Sequence, residues 1–447
     1  MAEVALLTMA TILTLGVIAF GSLKRAGFNM LDAYFLMTML FFGVYSMVDA
    51  LVNKAAGKDP AIVVVTFVLI FLAMLVTWML YQMLSSRVRI ALRFDSLMEQ
   101  WAVVPRRTIV YLATIFFALH TYLFLAYGML TYAGAEIERL DISVPTWIGP
   151  LRALVNAIGF GLYVCIGTSI AKRRIGAFSL FGALALAIAA VLTLEGRRAF
   201  IELVIFAFVL WSCSRRENVY SVRHVPIALV MLVGFFLLSN IYQTYREEVI
   251  SIQARMDHRE VSGLISAAGN IDATIDNYRQ RLAMWNFNYM ITAEQIKSPT
   301  KILSGAMLWQ TLLNSLPAAL FESKQVVDPD DIIAQFYGFP VTGLPDYPTN
   351  DLATYLADFG VAMLVLLPVI NILVFLIVSY SHFSISKIGN TLFLLVSTLC
   401  LQYLIKVENS YGDIFILLRN ILLLLVLWFA AELWRRVYRG ALGTNPT

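Results

Sequence analysis

The sequence predicts an all-α polytopic membrane protein with roughly eleven transmembrane helices and one large, partly helical external loop. Three observations carry that prediction. The chain of 447 residues is 60% hydrophobic and only 14% charged, whereas soluble domains carry roughly 25% charged residues. Apolar runs of about 20 residues, long enough to cross a bilayer, recur along it. The Lys and Arg residues between those runs fall on alternate sides of them, as the positive-inside rule requires.

The runs lie near residues 4–22, 31–52, 61–84, 108–129, 148–171, 177–194, 199–213, 226–243, 352–380, 391–405 and 414–434. The first starts almost at Met1 without a basic leader region or a small-residue cleavage site, so it reads as a span rather than a removable signal. The runs at 177–194 and 199–213 read as two spans or as one broken helix. Basic clusters assign the cytoplasmic side: Lys24 and Arg25, Arg87 to Arg107, Lys172 to Arg174, Arg215 to Arg223, Lys387, and Arg435 to Arg439. The N terminus is then outside and the C terminus cytoplasmic. The chain divides into an N-terminal membrane part (1–243), a large external loop (244–350) and a C-terminal membrane part (351–447), which together make one membrane-embedded unit. The loop is rich in turn signals such as Asp328-Pro329-Asp330 and Leu344-Pro345-Asp346, and periodic apolar residues around 285–320 predict short amphipathic helices within it. It reads as folded, because a structureless loop of that length is rare in a compact protein.

Composition excludes several function classes. A formal charge of +4 spread over short loops gives no nucleic-acid footprint. Cys165, Cys213 and Cys400 sit in or beside apolar runs without CxxC spacing, so they read as core residues rather than redox or zinc ligands. No metal-ligand spacing, nucleotide-binding glycine loop or nucleophile elbow occurs, and no cofactor is called for. The absence of an internal repeat argues against many secondary transporters.

Charged residues at membrane depth single themselves out, because each is costly there unless paired or used. Arg197 and Arg198 stand in an outer turn that should be poor in cations, Arg152 and Arg419 lie inside spans, and Lys406 ends the tenth run on the same side. Grouped at one depth, they point to an anion, and a diphosphate suits guanidinium forks that bind phosphate oxygens in pairs. Taken singly, each also fits a snorkelling or paired role; Glu202 stands four residues after Arg198. Arg246, Arg279 and Arg281 in the loop add candidate contacts from above, or form an ordinary solvated face. The ninth run opens with Tyr347-Pro348-Thr349-Asn350-Asp351, a helix-start signal, which places Asp351, Tyr355 and Asp358 on one helical face at i, i+4 and i+7. Asp351 and Asp358 are candidate general bases, with a helix cap and a structural ion pair as their ordinary alternatives. Of the four histidines, His258 alone falls in the external loop and is a third candidate base, although its charged surroundings also suit a solvated helix.

With these residues in view, the layout resembles the Wzy-type polysaccharide repeat-unit polymerases, the enterobacterial common antigen polymerase among them, which are related to O-antigen ligases. The resemblance rests on Gly196-Arg197-Arg198-Ala199-Phe200-Ile201, on the Pro- and aromatic-rich loop from Leu316-Pro317 to Pro340, and on Pro348-Thr349 followed by Gly360. It implies an inverting, metal-independent glycosyltransferase of the bacterial cytoplasmic membrane. Such an enzyme joins undecaprenyl-diphosphate-linked oligosaccharide units on the periplasmic face, with lipid-linked donor and acceptor glycans as partners. Whether a chain-length regulator also binds is left open. In that reading Arg152, Arg197, Arg198 and Arg419 hold the departing diphosphate, and Asp351, Asp358 or His258 accepts the acceptor's proton. Trp285, Tyr289, Trp309, Tyr337 and Tyr347 are candidate sugar-stacking or packing aromatics. The ligases use a loop histidine, and His258 is not shown to match it. The alternatives are a flippase for the same lipid-linked sugar and an O-antigen ligase.

Overall fold

The computed structural model describes residues 29–38, 42, 58–93, 96, 106–127, 158–159, 162, 284–316, 329–339, 350–385, 390–405 and 411–441. Among them the architecture is all-helical, with one isolated bridge pairing Asn29 and Arg93. The helices are α1 (Met30–Thr38), α2 (Pro60–Met83), α3 (Ser86–Ala91), α4 (Arg106–Tyr127), α5 (Met284–Lys297), α6 (Ala306–Ser315), α7 (Pro329–Tyr337), α8 (Asp351–Phe359), α9 (Met363–Ile385), α10 (Asn390–Ile405) and α11 (Tyr411–Ala441). Three stretches are long and apolar enough to cross a membrane: Pro60–Met83, Asp351–Phe383 and Gly412–Tyr438. The predicted runs at 4–22, 177–194, 199–213 and 226–243 lie outside the described residues.

Local chemistry sets the helix ends. Asp59 caps α2 by accepting the Ala61 N–H at 2.8 Å, and Pro60 takes the first position, where a missing N–H costs nothing. Helix α1 opens on a reciprocal cap: the Asn29 N–H donates to Asp32 Oδ2 at 2.9 Å, and the Asp32 N–H donates to Asn29 Oδ1 at 3.0 Å. Asn350 caps α8 by accepting the Ala353 N–H at 2.9 Å.

The ninth run, expected as one helix over 352–380, is divided. Helix α8 stops at Gly360, whose φ of +55° is left-handed backbone open to glycine at little cost. A 3₁₀ turn at Gly360–Ala362 follows, and α9 then continues to Ile385, past the expected end, with Pro368 inside it.

Helix α9 is the centre of the packing and lies against α2, α8 and α10; α10 in turn meets α1 and α11. Residues Leu352 to Asp358 are all buried, so α8 is enclosed on every side. Helices with one apolar face outward line the outside: Val365, Val369, Leu373, Leu376 and Tyr380 on α9 are exposed, as are Leu418, Leu422, Val426 and Phe429 on α11. In a membrane protein these exposed apolar rows are the lipid-facing surface.

The expectation of short helices around 285–320 is met by α5 and α6, and α7 adds a third helix to the long segment between the predicted eighth and ninth spans. Helix α5 packs on α2 and α8, α6 on α8 and α11, and α7 on α6 and α8. Helix α8 is therefore the one element of the bundle, among the described residues, that all three helices of the long segment meet.

Candidate functional site

Five helices bring polar side chains together beside the start of α8. Asp351 opens that helix, and its charge reaches the phenols of Tyr34 on α1, Tyr355 on α8 and Tyr403 on α10. Asp413, at the start of α11, also lies within electrostatic reach of Tyr403, and the Asn371 amide of α9 faces the Tyr34 hydroxyl. Tyr355, Tyr403 and Asn371 are buried, whereas Asp351 and Tyr34 are half-buried. A carboxylate that accepts protons, bordered by phenols that donate or accept hydrogen bonds, is a proton-handling arrangement. Polar groups drawn from five separate elements inside an apolar bundle are costly, which makes the place a candidate functional site.

One turn or more along α8 the chemistry changes. Asp358 is fully buried, with both oxygens engaged. Oδ1 accepts the Gly305 N–H at 2.9 Å and the Met307 N–H at 3.3 Å, and Oδ2 accepts the Leu308 N–H at 2.9 Å. These amides begin α6, whose N-cap position is Gly305, without a side chain to cap it. Asp351, Tyr355 and Asp358 thus share a helix as expected, yet Asp351 and Tyr355 belong to the tyrosine cluster and Asp358 to the seat of α6.

The end of α8 is tied to the long segment by hydrogen bonds that replace those lost where the helix breaks. Gln295 Nε2 donates to the Leu356 carbonyl at 2.7 Å and to the Tyr337 hydroxyl at 2.9 Å. The Tyr337 hydroxyl is shared between the carbonyls of Lys301 at 3.0 Å and Ala357 at 3.3 Å. The Leu303 N–H reaches the Ala357 carbonyl at 3.0 Å. Burial pushes the Tyr337 phenol above its ordinary value, against the hydrogen bond from Gln295. Nearby, Glu294 pairs with Lys297 at 2.7 Å and Lys301 at 3.0 Å. The hydrogen bonds from those two lysines hold its carboxyl below the usual range, and the bond with Glu294 raises Lys297.

Arg419 lies on the bundle side of α6. Its Nη1 donates to the Ser315 carbonyl at 3.4 Å, and its buried Nε has no acceptor among the described residues. Arg419 and Asp358 therefore stand at opposite ends of α6. The other sequence-derived candidates, Arg152, Arg197, Arg198, Arg246, Arg279, Arg281, Lys406 and His258, lie outside the described residues.

The aromatics separate by role. Trp285 is fully buried, stacked with Phe67 of α2 at 5.9 Å and covered by the Lys58 ammonium at 3.9 Å. The Tyr289 hydroxyl accepts the Asp59 N–H at 2.9 Å, and Tyr337 is buried. Trp309 on α6 is 62% exposed and is the member of the expected set, among the described residues, that presents a free ring face. Tyr347 is outside the described residues.

Tyr34, Asn371, Tyr403 and Asp413 were not singled out by the sequence. Each is an isolated polar residue in or beside an apolar run, and only the general rule that such residues are costly in a membrane would have flagged them. Among the described residues no group of three or more His, Cys, Asp or Glu side chains is placed to hold a metal ion. Compared with known proteins, the chain matches no family model, no curated protein and no solved structure.

Proposed function

We propose that this chain is a glycosyltransferase that polymerises undecaprenyl-diphosphate-linked oligosaccharide units at the outer face of a bacterial cytoplasmic membrane. It does so with about eleven spans and with residues 244–350 outside. The observation that carries the reading is the position of Asp351. It is half-buried beside a tyrosine cluster, on a helix that also receives the long segment. Asp351 accepts the proton of the acceptor hydroxyl, half-buried Tyr34 holds that hydroxyl in line, and buried Tyr355 backs the carboxylate. Asp358 is less suited to the task because both of its oxygens already receive backbone N–H groups. The diphosphate of the departing lipid is held by Arg152, Arg197, Arg198 and Arg419, whose fixed positive charge stabilises the transition state without a metal. Arg246, Arg279, Arg281 and Lys406 extend the cationic surface toward the glycan, and Trp309 offers it an indole face.

A second reading has support in the same cluster. Carboxylates and phenols gathered from five helices also suit a carrier that moves lipid-linked sugars in exchange for protons.

One assay separates the two. The purified protein is placed in vesicles with lipid-linked repeat units and no added metal, and the products are resolved by size. The polymerase reading expects a ladder of longer glycans that falls roughly a hundredfold or more in Asp351→Asn, the loss usual for a removed general base. An undiminished ladder in that variant removes Asp351 as the base. Transbilayer movement of the units without any ladder replaces the polymerase with the carrier.

A further inference from the structure

Two charges of opposite sign, buried Asp358 on α8 and half-buried Arg419 on α11, make no ion pair with each other among the described residues. Both instead meet the same short helix. Asp358 accepts three N–H groups at the start of α6, and Arg419 donates to Ser315, its last residue. A helix carries about half a positive charge at its N terminus and half a negative charge at its C terminus. An anion at the first end and a cation at the second are therefore each compensated by α6 itself. Ten residues at 1.5 Å each put the two side chains about 15 Å apart, too far for direct attraction to hold either. The backbone on entry is matched to the arrangement. Ser304 and Gly305 both take positive φ, +53° and +87°, which turns the chain so that its amides point at Asp358.

We propose that Asp358 and Arg419 are the two ends of one positioning device. Each holds one end of α6, and because the hydrogen bonds of so short a helix form cooperatively, loosening either end loosens the whole; together they fix that helix, with its exposed Trp309, against the bundle. Asp358 is accordingly a positioning residue that acts through α6 and does not take up a proton. The claim about α6 stands on its hydrogen bonds alone; the claim about the reaction rests on the polymerase reading above.

Hydrogen–deuterium exchange on the purified full chain in lipid nanodiscs tests the first claim without any substrate. Asp358→Leu is expected to speed exchange roughly tenfold or more along all of α6, including the far end at Leu312 to Ser315. Asp358→Asn keeps an acceptor oxygen and is expected to do so less. Arg419→Gln is expected to speed exchange back at Met307 and Leu308. Exchange in α2 and α9 shows whether the bundle is intact; if Asp358→Leu fails to fold, the Asn and Gln variants decide. Acceleration confined to the end of α6 beside each substitution overturns the coupling. In the polymerisation assay Asp358→Asn is expected to lower kcat while leaving the pH profile as in wild type. A flattened profile makes Asp358 the proton acceptor and overturns the second claim.

Discussion

Gly360 stands with φ at +55°, and a Cβ built there meets Ile302 Cγ2 at 3.4 Å. Contact at that distance is tolerable, so the conformation itself sets the cost. Gly360→Ala is expected to destabilise the protein by about 1–3 kcal/mol, read as a lower thermal midpoint in detergent. Tyr337 is the second single residue with a measurable burden. Its hydroxyl joins Gln295, Lys301 and Ala357, and Tyr337→Phe removes all three of those bonds at a cost of about 1–3 kcal/mol. Its acid–base behaviour gives a second handle. The folded phenol titrates above its ordinary value because burial disfavours the phenolate. Its contribution is therefore complete below the ordinary tyrosine value of about 10 and is lost as pH rises through the folded value. Limited proteolysis of the long segment is expected to accelerate on that alkaline side in wild type and to lose this pH dependence in Tyr337→Phe.

Helix α8 shows how far a sequence reaches at the scale of an element. Its start was legible, since Pro348, Thr349, Asn350 and Asp351 announce a helix, although the cap falls on Asn350, which accepts the Ala353 N–H at 2.9 Å, and not on Asp351. Asn350→Ala is expected to cost about 1 kcal/mol, with faster amide exchange in the first turn of α8 as its readout. Its end was not legible, because one glycine in an apolar run does not interrupt the hydrophobic signal that defines a span. The face shared by Asp351, Tyr355 and Asp358 followed from helical spacing, but their separate partners did not. Asp358 answers amides about fifty positions away in sequence, and Asp351 answers tyrosines on two other helices. Spacing encodes which residues share a face; only tertiary packing decides what that face meets. Tyr34 and Tyr403 stayed hidden for the same reason, since a lone phenol leaves no periodic trace. Helices α5 and α6 were foreseen as short amphipathic pieces, whereas the burial of Trp285 beneath Lys58 depends on α2 and had no local signature.

At the scale of the molecule, the described helices turn apolar rows outward and gather Asp351, Tyr34, Tyr355, Asn371 and Tyr403 beside the start of α8. Helix α11 has 31 residues, about 46 Å, against a hydrocarbon core of about 30 Å. Its last turns must emerge, and they carry Trp434 and Tyr438 beside Arg435 and Arg436, the aromatic and basic pairing of a membrane–water boundary. In vesicles opened to reagent on both sides, Val437→Cys is expected to react with an impermeant maleimide and Leu422→Cys to stay unlabelled. Equal labelling of both counts against this placement of the membrane. The attachment of the long segment also carries a meaning for how the chain is made. Helix α5 docks on α2, which precedes it, through Lys58 over Trp285 and the Asp59 N–H on Tyr289. Helix α6 docks on Asp358 and Arg419, which both follow it. During synthesis the segment can therefore settle by its leading half as soon as it appears, while its second half waits for the final helix. Among the described residues, α6 therefore completes its docking only once α11, which carries Arg419, has been made.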